Sequence, residues 1–513
     1  MTAPGTEHEM SPNPSRHRHT EGPPTWAVAS VVAMCLAFAA QFSIWQVHRY
    51  DNFIARRFDL GNMVQAVWSA AHGDLMLTTT DQFGEQISRY AGHVEPLLIL
   101  FAPLWWVWPS PIMLVVVQSV AVATAGIPAY LLARRWVGDE RIAVVFCGVA
   151  LMYPFIQAQT LFDFHAVTLA TPLLLWAIWA AVTHRNVTLG VMVVLAAMTK
   201  EQVGLSICIF GIWIIFALGR KRAGSFVALF GLMWSAVIIG AIMPRLRGDA
   251  AEEILLSRYG AFGDSVGAAM KTLIVHPIHS ADLLLTTNRV VFVLALFVPL
   301  LFLPLRAPLL TAAIIPDLLI NLMSNHPQQQ QLAFHYGAVA APFLIAAAIR
   351  GLGAMRRSRR SGGRGVTTSP RVVLAVLGVT TIVCSYLLSP LPFWGEPPLG
   401  RTGGVNRERA TQLTVNDPRA PIMLRAVRMI PKDAVVSTGN GFGAHLSARR
   451  RVLTFPVVAD ATWVIVDKKL SAMGDGRDVK AHRERVNRLL LNPRWHVVFD
   501  EDSVLVIRRS SGS

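Results

Sequence analysis

The sequence predicts a mainly α-helical, polytopic membrane protein, a bundle of about eleven transmembrane helices with a soluble α/β domain at its C-terminal end. Three observations predict this. Of 513 residues, 53% are hydrophobic and 15% charged, with mean hydropathy +0.45, too apolar for a soluble chain of this length. Apolar runs able to enter a bilayer recur between residues 26 and 390, and Lys and Arg gather in alternate connections between them. Beyond about residue 396, charged and apolar stretches alternate and hold 20 of the 47 basic residues.

Composition also excludes classes of function. The net charge of +16 belongs to a membrane protein, where it reports topology rather than nucleic-acid binding. Cys35, Cys147, Cys208 and Cys384 lie far apart inside apolar runs, so neither a disulfide framework nor a CxxC metal site is available.

Residues 1–24 are polar, rich in Pro and His, and lack the apolar core of a signal peptide; they read as a disordered cytoplasmic tail. The membrane module occupies 25–395. Its apolar runs fall near 26–47, 112–133, 141–157, 166–183, 187–200, 202–219, 224–243, 289–305, 307–323, 337–349 and 371–390. Arg134, Arg135, Arg141, Arg185, Arg220, Lys221, Arg222, Arg306 and the cluster from Arg350 to Arg371 then share the side of the N-terminus, the cytoplasm. The first outer loop, 48–111, carries the apolar run Val94–Trp108, bounded and interrupted by prolines. Counting it as a span would invert every later loop, so it reads as an interfacial helix, with Trp105, Trp106 and Trp108 suited to the headgroup layer.

An odd span count leaves the domain 396–513 outside the plasma membrane. Strands are expected at Ala434–Ser437, Arg451–Pro456, Thr462–Asp467, His496–Asp500 and Ser503–Arg508, with an amphipathic helix at Val479–Leu491 closed by Asn492-Pro493.

Ionisable residues at the outer ends of spans are costly and therefore candidates for function. They are Arg56, Arg57 and Asp59, His93 and Glu95, Asp163 and His165, Lys200 and Glu201, Asn325 with His326, and His335 with Tyr336. Each alone has a structural explanation: a loop Asp caps a helix, a His rests at the interface, Lys-Glu neutralises itself. Their collection on one face favours a site.

The motifs Phe58-Asp59-Leu60-Gly61 followed by Gln65, Trp68 and Gly73, then His93 with Pro96 and Gln118 with Pro128 ahead of Leu131-Leu132-Ala133-Arg134-Arg135, resemble a family of bacterial membrane proteins called domain of unknown function 2079. Tyr153-Pro154, Phe162-Asp163-Phe164-His165, Lys200-Glu201 and His335-Tyr336 with Pro342-Phe343 extend the resemblance in order over about residues 50–350. Gly443-Ala444-His445-Leu446-Ser447 continues it more loosely; Val94 departs from it, where an aromatic residue would be expected.

That family looks like a branch of the GT-C glycosyltransferases. The resemblance implies a polyprenyl-phosphate sugar as donor, an envelope glycan, lipid or protein as acceptor, no nucleic acid, and inversion at the sugar. Asp59 matches the first-loop carboxylate that acts as base, while Arg56, Arg57, Lys200 or His335 could bind the departing lipid phosphate. The other candidates would line the substrate site. A divalent ion shared by Asp59, Glu95, Asp163 and His165 is open, since oxygen ligands from separate loops have no diagnostic spacing. Gly439-Asn440-Gly441-Phe442-Gly443 misses the spacing of a nucleotide-binding loop.

Two rival classes stand beside this one. A secondary transporter would account for many spans, with Asp317 in mid-membrane and Pro172, Pro299 and Pro316 as interruptions, but no inverted repeat is visible. A non-catalytic envelope-assembly protein would display the tail domain, yet would not need polar clusters at so many helix ends.

Overall fold

The structure, a computed structural model, describes residues 22–80, 84–247, 259–263, 266–360, 370–389, 391, 413–469 and 479–510. The expected cytoplasmic tail lies almost entirely outside these residues, as do the middle of the Arg350 to Arg371 cluster and residues 396–412.

All eleven apolar runs are helical. Three helices, Thr25–Asp51, Pro111–Val137 and Lys221–Leu246, are long and apolar enough to cross a bilayer unaided. Glu140–Met152 continues into Pro154–Leu161 through a 43° bend, and Pro277–Leu284 into Thr287–Leu300 through 77°. Proline explains the first bend, because Pro154 offers no N–H and holds Tyr153 in an extended conformation. Ala166–Val182, Asn186–Ala197, Val203–Leu218, Pro308–Met323 and Ala375–Leu388 are shorter apolar helices. At 1.5 Å per residue, such segments fall short of a hydrocarbon core of about 30 Å. Helix length among the described residues thus supports three spans, or five with the bent pairs, where eleven were expected. The segment Pro96–Val107 is likewise too short to cross.

Side-chain contacts pair the basic turns. Arg356 and Arg357 donate to the carbonyls of Val137 and Trp136 at 3.2 and 3.1 Å, and Arg220 donates to the Ala181 carbonyl and the Asn186 side chain. The hairpin Val203–Leu218 with Lys221–Val237 closes on glycines. A Cβ on Gly204 would collide with the Gly231 carbonyl, and one on Gly211 with the Ala228 backbone, so only small residues permit this approach. Ser235 on the second helix donates to the Glu201 carbonyl at 2.7 Å, fixing the turn that carries Lys200 and Glu201.

The segment expected as the first outer loop holds more structure than its composition suggests. A helix, Asn62–Ala71, is followed by an antiparallel pair, β1 (Leu77–Thr79) and β2 (Gln86–Ser88). Gln65 ties them together, donating to Thr79 Oγ1 and accepting from the Thr79 N–H, both at 2.9 Å.

The C-terminal domain is a five-stranded mixed sheet of β3 (Val436–Thr438), β4 (Val452–Thr454), β5 (Trp463–Asp467), β6 (Trp495–Glu501) and β7 (Val504–Arg509), in the order β4-β3-β5-β7-β6. All five expected strands and the helix Val479–Leu490 are present. Period-two alternation divides the sheet faces. Ile465, Val504 and Val506 pack on one side with Met423 and Ala426 of helix Ala420–Arg428, while Val464, Val466, Leu505 and Ile507 face Val486 on the other. Phe53, at the end of the first long helix, completes the first of these clusters, so the membrane module contributes to the core of the domain.

Candidate active site

Asp59 sits in one wide π-helical turn, Arg57–Gly61, which two neighbours hold. The helix Asn440–Leu446, between β3 and β4, packs on it: Asn440 Oδ1 accepts the Phe58 N–H at 3.2 Å, and a Cβ on Gly443 would overlap the aliphatic part of Arg57. Arg57 is fully buried and donates to Thr454 Oγ1 at 2.6 Å, the Val452 carbonyl at 2.8 Å and the Thr79 carbonyl at 2.9 Å. Asp163 is the other support. Its two oxygens accept from Arg49 Nη2 at 2.8 Å and from the Arg56 N–H at 2.9 Å. Arg57 and Asp163 are thus committed to binding parts of the chain together.

The loop after Leu161 is pinned from the membrane side. Gln46 donates to the carbonyls of Thr160 and Phe162 at 2.6 and 2.7 Å, and Gln118 accepts the His165 N–H at 3.0 Å. This places the His165 ring with Nδ1 at 2.8 Å from the Asp163 carbonyl and Nε2 at 3.6 Å from Asp59 Oδ1. The ring stacks on His335, centroids 3.9 Å apart and planes at 22°. Burial lowers His165 to about 4 and His335 well below the usual imidazole range. His335 Nδ1 has no hydrogen-bond partner among the described residues.

Opposite, Glu201 accepts from His93 Nδ1 at 2.9 Å and from the Val94 N–H at 3.1 Å. Burial pushes its carboxyl up, but His93, that hydrogen bond and Lys200 together draw it down to about 2, so it stays ionised. Glu95 pairs with Arg89 at 2.6 Å. Lys200 is 8% exposed, and its side chain has no ion pair or hydrogen bond among the described residues; its charge acts on the buried carboxylates of Glu201 and Asp317, and its Nζ stands 6.0 Å from the Tyr336 ring centre.

Asp59, His93, Glu95, His165, Lys200, His335 and Tyr336 line one cavity of about 550 Å³. Arg56, Arg57, Asp163 and Glu201 are not among its lining residues and support it from behind. Residues without a motif of their own also line the wall, among them Asn62, Thr78 to Thr80, Arg89, Gln328, Gln329 and Phe334. Only the Gln-rich loop signalled part of this in the sequence, through Asn325-His326; His326 also lines the cavity. The four residues considered for a shared ion do not gather as ligands. Asp163 spends both oxygens on Arg49 and the Arg56 N–H, Glu95 is held by Arg89, and no group of three or more His, Cys, Asp or Glu suited to a metal occurs among the described residues.

The order of these groups along the chain is that of a known family, whose model, "Predicted membrane protein (DUF2079)", matches residues 49–506. The chain belongs to that family. It is therefore a membrane protein with apolar helices, as its composition requires. No curated protein matches it. Among the solved structures that resemble it are two of ArnT from Cupriavidus metallidurans. The one bound to undecaprenyl phosphate is 12% identical with TM-score 0.48, over 95% of this chain and 99% of that one. The apo one is 14% identical with TM-score 0.49, over 94% and 97%. Likeness of that degree fixes neither fold nor reaction.

In this family member the cavity offers a carboxylate, an unpaired ammonium, aromatic faces and a wall of amides and hydroxyls. Such a set can bind a polyhydroxylated ligand carrying an anionic group and remove a proton from it.

Proposed function

We propose that the protein is a GT-C-type glycosyltransferase of the plasma membrane, moving a sugar from a polyprenyl-phosphate donor to a cell-envelope acceptor on the outer face. The observation that carries this reading is the presence of Asp59 and the unpaired Lys200 on the wall of one cavity. A sugar hydroxyl is a poor nucleophile at neutral pH, so a carboxylate must take its proton as the new bond forms. Asp59 takes that role. The acceptor oxygen bonds to the anomeric carbon, the bond to the phosphate oxygen breaks, and its electron pair leaves on the lipid phosphate. Lys200 meets that charge, where a fixed cation in a water-poor site is worth most. Attack opposite the leaving group inverts the anomeric centre. The undecaprenyl phosphate bound to ArnT is a lipid of the class proposed here.

The test is deletion of the gene, followed by analysis of envelope glycans and of polyprenyl-phosphate sugars. An accumulated lipid-linked sugar together with a lost glycan supports the reading, and Asp59→Asn should fail to restore the glycan although the protein is made. Loss of uptake of a solute with unchanged glycans would overturn it in favour of transport.

A further inference from the structure

The bonds around His165 give it a function distinct from that of a wall residue. Its Nδ1 meets the Asp163 carbonyl at 2.8 Å, an atom that only accepts, so Nδ1 carries the hydrogen. In a neutral ring Nε2 is then a bare lone pair, and the Asp59 carboxyl stands 3.6 Å from it. Both ring nitrogens thus face acceptors. The ring can take a second proton where it stands, between a carbonyl and a carboxylate, without moving. Gln118 holds its backbone, Asp163 the loop before it, and His335 its face.

We propose that His165 is the second proton acceptor of this site, receiving from Asp59 the proton that Asp59 has taken from the acceptor hydroxyl. The inference rests on the reading of Asp59 as base. The proton leaves the hydroxyl oxygen for Asp59, then leaves Asp59 for Nε2, and the restored carboxylate stabilises the imidazolium beside it. The ring returns the proton to water when product leaves. The groups that face the ring set its resting state. Burial dominates and keeps it neutral, with Lys200 acting in the same sense, while the Asp163 carbonyl and the charges of Glu95 and Asp163 favour the proton. His335, stacked against it, is itself held neutral by burial and by His165. A base that passes its proton on is ready for the next acceptor, and the charge is moved away from the departing phosphate.

The first measurement uses the full-length protein with ¹⁵N-labelled histidine rings in phosphatidylethanolamine and phosphatidylglycerol bilayers. The His165 signals are assigned by difference against His165→Gln. At pH 7 solid-state NMR should show the neutral ring with hydrogen on Nδ1. Hydrogen on Nε2 would make His165 a simple donor to Asp59 and overturn the relay. The second measurement compares glycan restoration rates. His165→Gln should lower the rate by about 10²-fold, the low end of a proton-transfer contribution. The double variant Asp59→Asn with His165→Gln should be no slower than Asp59→Asn alone, since both act on one proton. Additive losses would show that His165 only supports the wall. Activity lost in Asp59→Asn but unchanged in His165→Gln overturns the relay and leaves the transferase reading standing; unchanged activity in Asp59→Asn overturns that reading instead.

Discussion

Gly443 of the C-terminal domain lies against Arg57, in the turn after the first long helix, so closely that no side chain fits between them. The turn bearing Asp59 is therefore shaped by a residue almost four hundred positions away. Gly61 in the same turn has Ser447 Oγ within 2.6 Å of where its Cβ would stand, so the contact is tight from both sides. Gly443→Ala should push Arg57 off its hydrogen bonds to Thr454 and Val452, at a cost of about 1–3 kcal/mol for overpacking. Activity should fall while the sheet persists. Gly190→Ala, where an added Cβ meets nothing within 4 Å, is the control and should leave both unchanged. Thermal unfolding of the two purified variants, beside their rates of glycan restoration, checks this.

The Arg49–Asp163 pair makes a sharper demand on stability. Its side chains are 8% and 3% exposed, so removing one charge leaves the other buried without its partner. Asp163→Asn should destabilise the protein by about 3–5 kcal/mol, as broken buried pairs do. Unchanged unfolding would mean that Asp163 is held for substrate and not for structure.

These two contacts show what the sequence could and could not disclose. Apolar runs became helices and alternating segments became strands because hydrophobic periodicity is written locally; β5, with Val464 and Val466 on one face and Ile465 on the other, was legible residue by residue. Charge at span ends was equally plain, and eight of the thirteen candidate side chains do line one cavity. Their commitments were not legible. Arg57 looks like a phosphate ligand beside Asp59 until Thr79, Val452 and Thr454 arrive from distant segments to occupy it. Helix Asn440–Leu446 was hidden in a glycine-rich run, whose value is close packing and not helix propensity. The span count was not legible for a related reason: hydropathy marks a buried helix and a membrane-crossing one alike, and helix length among the described residues supports three to five spans.

The docking of the domain should be sensitive to acid. The His445 ring stacks between Tyr50 and Phe53, both centroids 4.0 Å away, and Nε2 donates to the Tyr50 carbonyl at 2.9 Å. Burial lowers it to about 4. An unfolded chain takes up a proton near pH 6.5 that the folded ring refuses, so stability is full above about pH 6.5 and declines as pH falls toward 4. Protease resistance of the domain boundary, followed from pH 7.5 to 4.5, should decline over that interval. His445→Phe keeps the stacking without the titration and should flatten the decline; an equal decline in both proteins would place the sensitivity elsewhere.

The proposed role of Lys200 as the phosphate-binding cation makes a prediction about lipid binding. Lys200 is buried, its side chain makes no ion pair within 4 Å among the described residues, and it is set at the turn fixed by Ser235 and the packed glycine hairpin. If it meets the phosphate in both ground state and transition state, Lys200→Met should weaken binding of polyprenyl phosphate and slow transfer by about 10²- to 10³-fold, the usual effect of removing one electrostatic stabiliser. Lys200→Arg should recover part of both, because the charge returns on a broader, planar head that fits the turn less well. Asp59→Asn should lose transfer and keep polyprenyl phosphate binding, since the base acts on the acceptor. The measurement is binding of radiolabelled polyprenyl phosphate to the purified variants beside their rates of glycan restoration. Normal lipid binding by Lys200→Met, with binding lost in Asp59→Asn, would reverse the assignment of the two groups.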